Sequence, residues 1–135
     1  DGMAERNFGR IVNITSASVE MPVPNPGLST AARLALTGFC ATICREVVHK
    51  NVVINNLLPG PFDTDRLRSS AVFAAQQTGR DFETIYAERM AQNPSKRFGT
   101  AEEFGKVCAF LCSTHVSFMV AQNLLMDGGH YPGNF

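Results

Sequence analysis

Net charge of either sign is missing from this chain. Twelve Lys and Arg residues balance twelve Asp and Glu. That balance excludes the basic stripe that nucleic acid or an anionic membrane would attract. Long hydrophobic runs are missing as well. No uninterrupted stretch approaches the ~18 apolar residues that a membrane span needs. The N-terminal DGMAERNFGR lacks the apolar segment of a secretory signal. Internal repeats and low-complexity segments are absent. Histidine is scarce, and His49, His115 and His130 stand apart in the sequence, as surface or loop residues do. None joins the cysteine pairs Cys40/Cys44 and Cys108/Cys112 at ligand spacing, so no metal site is expected. The four cysteines read as buried free thiols in a reducing compartment, which places the protein in the cytoplasm.

What is present suits one small α/β domain. Of 135 residues, 44% are hydrophobic and 18% charged, an ordinary globular composition. Asp1 to Phe8 is the tail of a helix or a loop. Arg10 to Thr15, RIVNIT, is β-rich and mostly apolar, as a central parallel strand should be. Pro22, Pro24 and Pro26 then exclude regular structure, and Pro26-Gly27 marks a turn. Ser29 or Thr30 can cap a long helix running to about Lys50. Its small residues Ala31, Ala35, Gly38 and Ala41 form a stripe that lets a strand layer or a partner helix come close. Val52 to Leu58 is a second strand, ended by Pro59-Gly60-Pro61. Asp63 to Arg80 and Phe82 to Gln92 read as two short helices around Thr78-Gly79. Thr100-Ala-Glu-Glu103 is a capping box that opens a helix to about Ser113. Phe118 to Met126 is a third strand, and Asp127-Gly128-Gly129 ends it.

Strands alternating with helices imply a parallel sheet with right-handed crossovers. Three parallel strands are few for a doubly wound sheet, and an apolar first strand wants neighbours on both sides. The expectation is that further strands come from a longer chain or from a partner.

At the level of motifs the chain resembles the short-chain dehydrogenase/reductases over nearly its whole length. Asn13-Ile14-Thr15-Ser16 is similar to the family segment N-[IV]-S-S, which carries the catalytic serine. Ser29 to Phe39, STAARLALTGF, aligns with YSASKAALTGF. Asn55 to Thr64, NNLLPGPFDT, resembles N-x-[IV]-x-P-G-x-[IV]-x-T. Arg97 to Glu103 resembles R-x-G-x-P-E-E, and Asp127-Gly128-Gly129 matches the DGG near family C-termini. The resemblance implies an α/β fold, the C-terminal half of a Rossmann-type doubly wound parallel sheet. Residues 1–135 would be the C-terminal part of a single NAD(P)-binding domain, with residues 65–93 as a substrate lid. The family's glycine-rich turn, which cradles the cofactor diphosphate, has no counterpart in this sequence. The N-terminal dinucleotide-binding half is therefore not present in it.

The same resemblance implies NAD- or NADP-dependent reduction of a carbonyl, or oxidation of an alcohol, on a small molecule. NADP is the favoured cofactor. A homotetramer or homodimer is expected, formed through the Ser29–Lys50 helix and the last strand. Among the catalytic positions, Ser16 stands where the family has its serine. Counting back from Gly38, the tyrosine position falls on Ser29 and the lysine position on Arg33. No Tyr-x-x-x-Lys occurs: Tyr86 has Met90 four residues on, and Tyr131 has Phe135. The active site is thus expected to be atypical, with Ser16, Arg33 and Ser29 as catalytic candidates. Arg33 would also reach ribose hydroxyls or a substrate carboxylate. Pro59 and Gly60 would turn the chain, so that the Phe62 backbone and the Thr64 hydroxyl meet the nicotinamide carboxamide. Phe73, Phe82, Tyr86 and Met90 could line an apolar pocket or belong to the core. The alternatives are a catalytically silent dinucleotide-binding or partner subunit of the same fold, or a truncated fragment.

Overall fold

A computed structural model of the chain describes residues 1–24 and 27–134. Pro26 and Phe135, which entered the sequence reading, lie outside the described residues. The elements in chain order are α1 (Gly2–Glu5), β1 (Gly9–Ile14), α2 (Gly27–Val47), β2 (Val52–Pro59), α3 (Asp65–Thr78), α4 (Phe82–Gln92), α5 (Ala101–Leu111) and β3 (Asn123–Met126). Short 3₁₀ turns follow β1, α2 and α5. The strands pair in parallel in the order β1-β2-β3. Gly9 faces Val52 and Ile14 faces Leu57, while Asn56 faces Asn123 and Pro59 faces Met126. The expected α/β class and parallel sheet are what the chain forms.

Helices cover both faces of the central strand. Cys40 and Cys44 of α2 pack on Ile54 on one face. Leu111 of α5 and Val116 pack on Leu57 on the other. Seven of the eight β2 residues are buried, as a strand covered on both faces requires. The side-chain amides of this core are paired across the strands. Asn13 Nδ2 donates to Asn56 Oδ1 at 3.0 Å, and Asn56 Nδ2 donates to Asn123 Oδ1 at 2.8 Å. Asn123 Nδ2 reaches Glu20 at 3.1 Å. This amide row crosses all three strands and pins their register.

Four expectations need correction. The third strand is shorter than predicted, because Ala121 takes a positive φ of 56° and Asn55 clamps the preceding segment. Asn55 Nδ2 donates to the Met119 carbonyl and Asn55 Oδ1 accepts from the Gln122 amide. Phe118, expected in that strand, is 99% exposed. Ser29 and Thr30 sit inside the first turn of α2, which begins at Gly27, so neither is its cap. Cys40 and Cys44 are buried, but Cys112 is exposed.

The fourth correction concerns α2. With its 3₁₀ extension it is long and apolar enough, by length and composition alone, to cross a membrane. Within Gly27–Lys50 an 18-residue window has a mean hydropathy of 1.3, and 11% of that window is buried. The absence of uninterrupted apolar runs concealed this. The small-residue stripe faces away from the sheet, where a Cβ on Gly38 would meet nothing within 4 Å. Leu28 is 92% exposed and Phe39 63% on the same helix. On β1, Ile14 is half exposed.

Candidate functional site

The carboxyl ends of β1 and β2 and the first turns of α2 and α3 enclose a cleft of about 440 Å³. Every residue proposed from sequence as catalytic or cofactor-binding lines it: Ser16, Ser29, Arg33, Pro59, Gly60, Phe62 and Thr64. These positions are 48 residues apart at the extremes of the sequence (Ser16 and Thr64), and parallel pairing brings them together. A cleft beyond the carboxyl ends of parallel strands is where open α/β sheets bind ligands.

Ser16 follows β1 in extended conformation and caps the 3₁₀ turn Ala17–Val19. Its Oγ accepts from the Ser18 amide at 3.1 Å. The hydroxyl proton has no acceptor among the described residues, so it can be given to a ligand. Arg33 bridges helix and strand. Its Nε donates to Ser29 Oγ at 3.1 Å, and its Nη1 donates to the Thr15 carbonyl. The guanidinium is thereby held at the cleft wall, and Ser29 presents an oxygen already engaged by it. Thr15 is 4% exposed, and its hydroxyl oxygen has no partner among the described residues. A buried hydroxyl without a partner is costly and calls for an explanation.

The loop after β2 is shaped by close approach. A Cβ on Gly60 would stand 2.7 Å from Asp127 Cα, and the Gly60 amide donates to the Met126 carbonyl at 2.8 Å. Glycine is thus needed here for packing on β3. Gly99 donates to the Pro61 carbonyl at 3.1 Å and accepts from the Asp63 amide at 2.9 Å. This bridge leaves the Phe62 amide and carbonyl on the opposite side of the strand. Neither has a partner among the described residues. The Phe62 ring packs edge-on against Phe104, with centroids 5.1 Å apart. Thr64 caps α3, where its Oγ1 accepts from the Leu67 amide at 3.3 Å and keeps a proton to donate.

Phe73, Phe82, Tyr86 and Met90 do not line this cleft. Tyr86 packs between Phe82 and Phe98, with centroids 5.4 and 5.0 Å away, and ties the α3–α4 hairpin to the loop. Its hydroxyl donates to Asp63 Oδ1 at 2.7 Å, and Arg68 holds Oδ2 at 2.6 Å. The Arg68 bond, then the Tyr86 bond, hold the Asp63 carboxyl below the usual carboxylate range. Burial, then Asp63, pushes the Tyr86 phenol up. Phe73 stays 63% exposed beside a shallow hollow on α3.

Sequence reasoning missed Thr15, Ser18, Val23, Arg66, Leu67 and Ser70, which also line the cleft. For Arg66 a signal existed. It stands in the first helical turn after the cap Thr64, where the helix dipole favours acidic residues. The three histidines are exposed, and no metal-binding cluster occurs among the described residues.

This chain belongs to the short-chain dehydrogenase/reductases, a family of oxidoreductases. The family model described as enoyl-(acyl carrier protein) reductase matches residues 1–131. The chain is similar to acetoacetyl-CoA reductase of Cupriavidus necator, with 30% identity over 98% of this chain and 50% of that protein. It is 31% identical to 3-oxoacyl-[acyl-carrier-protein] reductase FabG of Salmonella typhimurium, over 96% of this chain and 48% of that protein. Its backbone is similar to that of L-sorbose reductase from Gluconobacter frateurii, solved with NADPH and L-sorbose. There the TM-score is 0.89 and the identity 26%, over 98% of this chain and 51% of that one. The chain spans about half the length of the relatives it matches.

Proposed function

We propose that this chain is the C-terminal, substrate-facing part of an NAD(P)-dependent reductase that converts a small carbonyl compound to an alcohol, or the reverse. The observation that carries the reading is the set of spare hydrogen-bonding groups that meet in one cleft: the Ser16 hydroxyl proton, the Phe62 amide and carbonyl, and the Thr64 hydroxyl proton. A nicotinamide carboxamide needs one acceptor and one donor, and Phe62 and Thr64 supply both, so the residues fit the group. When bound, a reduced nicotinamide supplies the hydride.

Ser16 donates to the carbonyl oxygen and polarises it. The oxygen then needs a proton. An arginine guanidinium holds its protons too tightly to relay one, so Arg33 stabilises the developing charge and orders ribose hydroxyls. The proton comes from the Ser29 hydroxyl or from water beside it. Serine is a weaker acid than the tyrosine that the family places there, so turnover is slow. NADP is our favoured cofactor, as it is the one named in the L-sorbose reductase complex. The exposed apolar face of α2 supports self-association as a dimer or tetramer, and the four free thiols fit a cytoplasmic setting. Residues 65–93 act as the substrate lid.

The test is hydride transfer from NADPH and NADH to a panel of ketones, followed by loss of reduced-nicotinamide absorbance. Turnover should fall by ~10²-fold in Ser16→Ala, the usual cost of removing one oxyanion donor. One observation favours a second reading: Ser29 and Arg33 are bonded to each other rather than left open. In that reading the protein is a silent dinucleotide-binding subunit. Tight NADPH binding with no turnover of any ketone would establish it.

A further inference from the structure

We propose that the substrate taken by this cleft is an oxo acid, with a carboxylate a few bonds from the reacting carbonyl, and that Arg66 binds that carboxylate. The inference deepens the reductase reading and rests on it. Its first ground is charge. Two arginines, Arg33 and Arg66, line the cleft together with six hydroxyl-bearing residues, and no Asp or Glu does. A cleft lined by cations alone favours an anion.

The second ground is that Arg66 is unspent. Arg68 pairs with Asp63, Arg80 with Glu88, Arg97 with Glu103, and Arg89 with Ser70. Arg6 and Arg45 bond backbone carbonyls, Arg10 bonds carbonyls and Asn51, and Arg33 is bonded as described above. Arg66 is the one arginine without a hydrogen bond or ion pair among the described residues. Its neighbour Asp65 makes no ion pair with it and lies with Arg68 at the separate hollow on α3.

The third ground is position. Arg66 stands in the first turn of a 14-residue helix, where a cation opposes the dipole. An anion bound there meets the guanidinium and the helix N-terminus together, and turns a local conflict into a favourable triad. Thr15, whose buried hydroxyl has no partner among the described residues, stands on the wall of the same cleft. Arginine suits a carboxylate because its planar fork can make two parallel charge-assisted bonds.

Because Phe62 and Thr64 face the nicotinamide in the proposed reading, Arg66, two residues on, meets what lies beside that ring. An oxyanion of the cofactor diphosphate shares the chemistry, so the test must separate the two. The probes are pyruvate, acetoacetate and levulinate, each against its uncharged methyl ester. Binding to the purified protein is measured calorimetrically with NADP⁺ present, and NADP⁺ binding is measured alone. At least one acid should bind ~10-fold more tightly than its ester, the worth of one charged hydrogen bond. Arg66→Gln should erase that preference and leave ester and NADP⁺ binding unchanged, while Arg66→Lys keeps part of it. Equal binding of all three acids and their esters would overturn the proposal. So would an Arg66→Gln loss of affinity confined to NADP⁺, which would give the arginine to the diphosphate. An acid preference without hydride transfer to any probe keeps the anion site and sinks the reductase reading, so the two failures are distinguishable.

Discussion

Two clefts share Phe62, and they differ in what their charges do. One is the 440 Å³ cleft at the ends of β1 and β2. The other, about 340 Å³, lies at the end of β3 and includes Arg97, Glu103 and Asp127. In the second every charged group is occupied by the protein itself. Arg97 forks onto Glu103 with bonds of 2.8 and 2.6 Å, and Glu103 also closes the Thr100 capping box. Asp127 accepts from the amides of Gly129 and Tyr131 at 2.9 and 2.7 Å. In the first, Arg66, the Ser16 proton and the Thr15 hydroxyl have no partner among the described residues. Volume does not separate the clefts, but hydrogen-bond satisfaction does. A site that must bind something keeps donors unspent, and a site that holds the fold together does not.

Four experiments would break or sharpen this contrast. The largest effect belongs to the unspent cleft: Ser16→Ala should cost ~10²-fold in turnover, with the fold retained and stability lowered by no more than the ~1 kcal/mol of a lost cap. An equal loss on Arg97→Ala would erase the distinction. Next is Gly60→Val, which pushes a side chain into the Asp127 backbone where the two clefts meet. Overpacking of this kind should destabilise by roughly 1–3 kcal/mol, measured by urea denaturation. A neutral result would show that β2 and β3 are not in close contact there. Smaller again is Thr100→Ala, which removes the α5 cap and should cost ~1 kcal/mol without changing turnover. Loss of turnover at full stability would move function into the second cleft.

The smallest effect is one of acidity. The Arg97 bond, and then the Thr100 amide, lower the Glu103 carboxyl from 4.5 to about 2. A carboxylate held low in the folded state lends stability that is fully present above pH 4.5. That stability fades as pH falls toward about 2. Arg97→Ala should therefore flatten the acid limb of the stability curve between these values and leave neutral pH little changed, because the pair is exposed. An unchanged acid limb would show that the fork does not persist in solution.

Much of the fold could be read from local rules. The α4 boundaries, the Thr100 box and the end of β2 at Pro59 follow from caps, periodicity and proline, which act within a few residues. The third strand misled because Phe118 to Gln122 looks apolar and β-prone. Asn55, more than sixty residues away in sequence, holds that segment in another conformation. The motif spacing placed Ser16, Ser29, Arg33, Phe62 and Thr64 in a common site. It did not reach Arg66, which no motif marks; its place in the first turn after the Thr64 cap was the one local signal, and its lack of a partner among the described residues came only with the structure.

The sequence by itself determined the element order, the parallel α/β class and the family to which the chain belongs. These depend on periodicity, turn chemistry and motif order, all carried along the backbone. Tertiary structure alone decided which polar groups are spent. Ser16 and Thr64 became caps with a proton to spare, Arg33 was drawn to the end of β1, and Asp63 was clamped by Tyr86 and Arg68. A hydrogen bond depends on what lies within about 3 Å. For these residues that neighbourhood comes from chain segments far away in sequence.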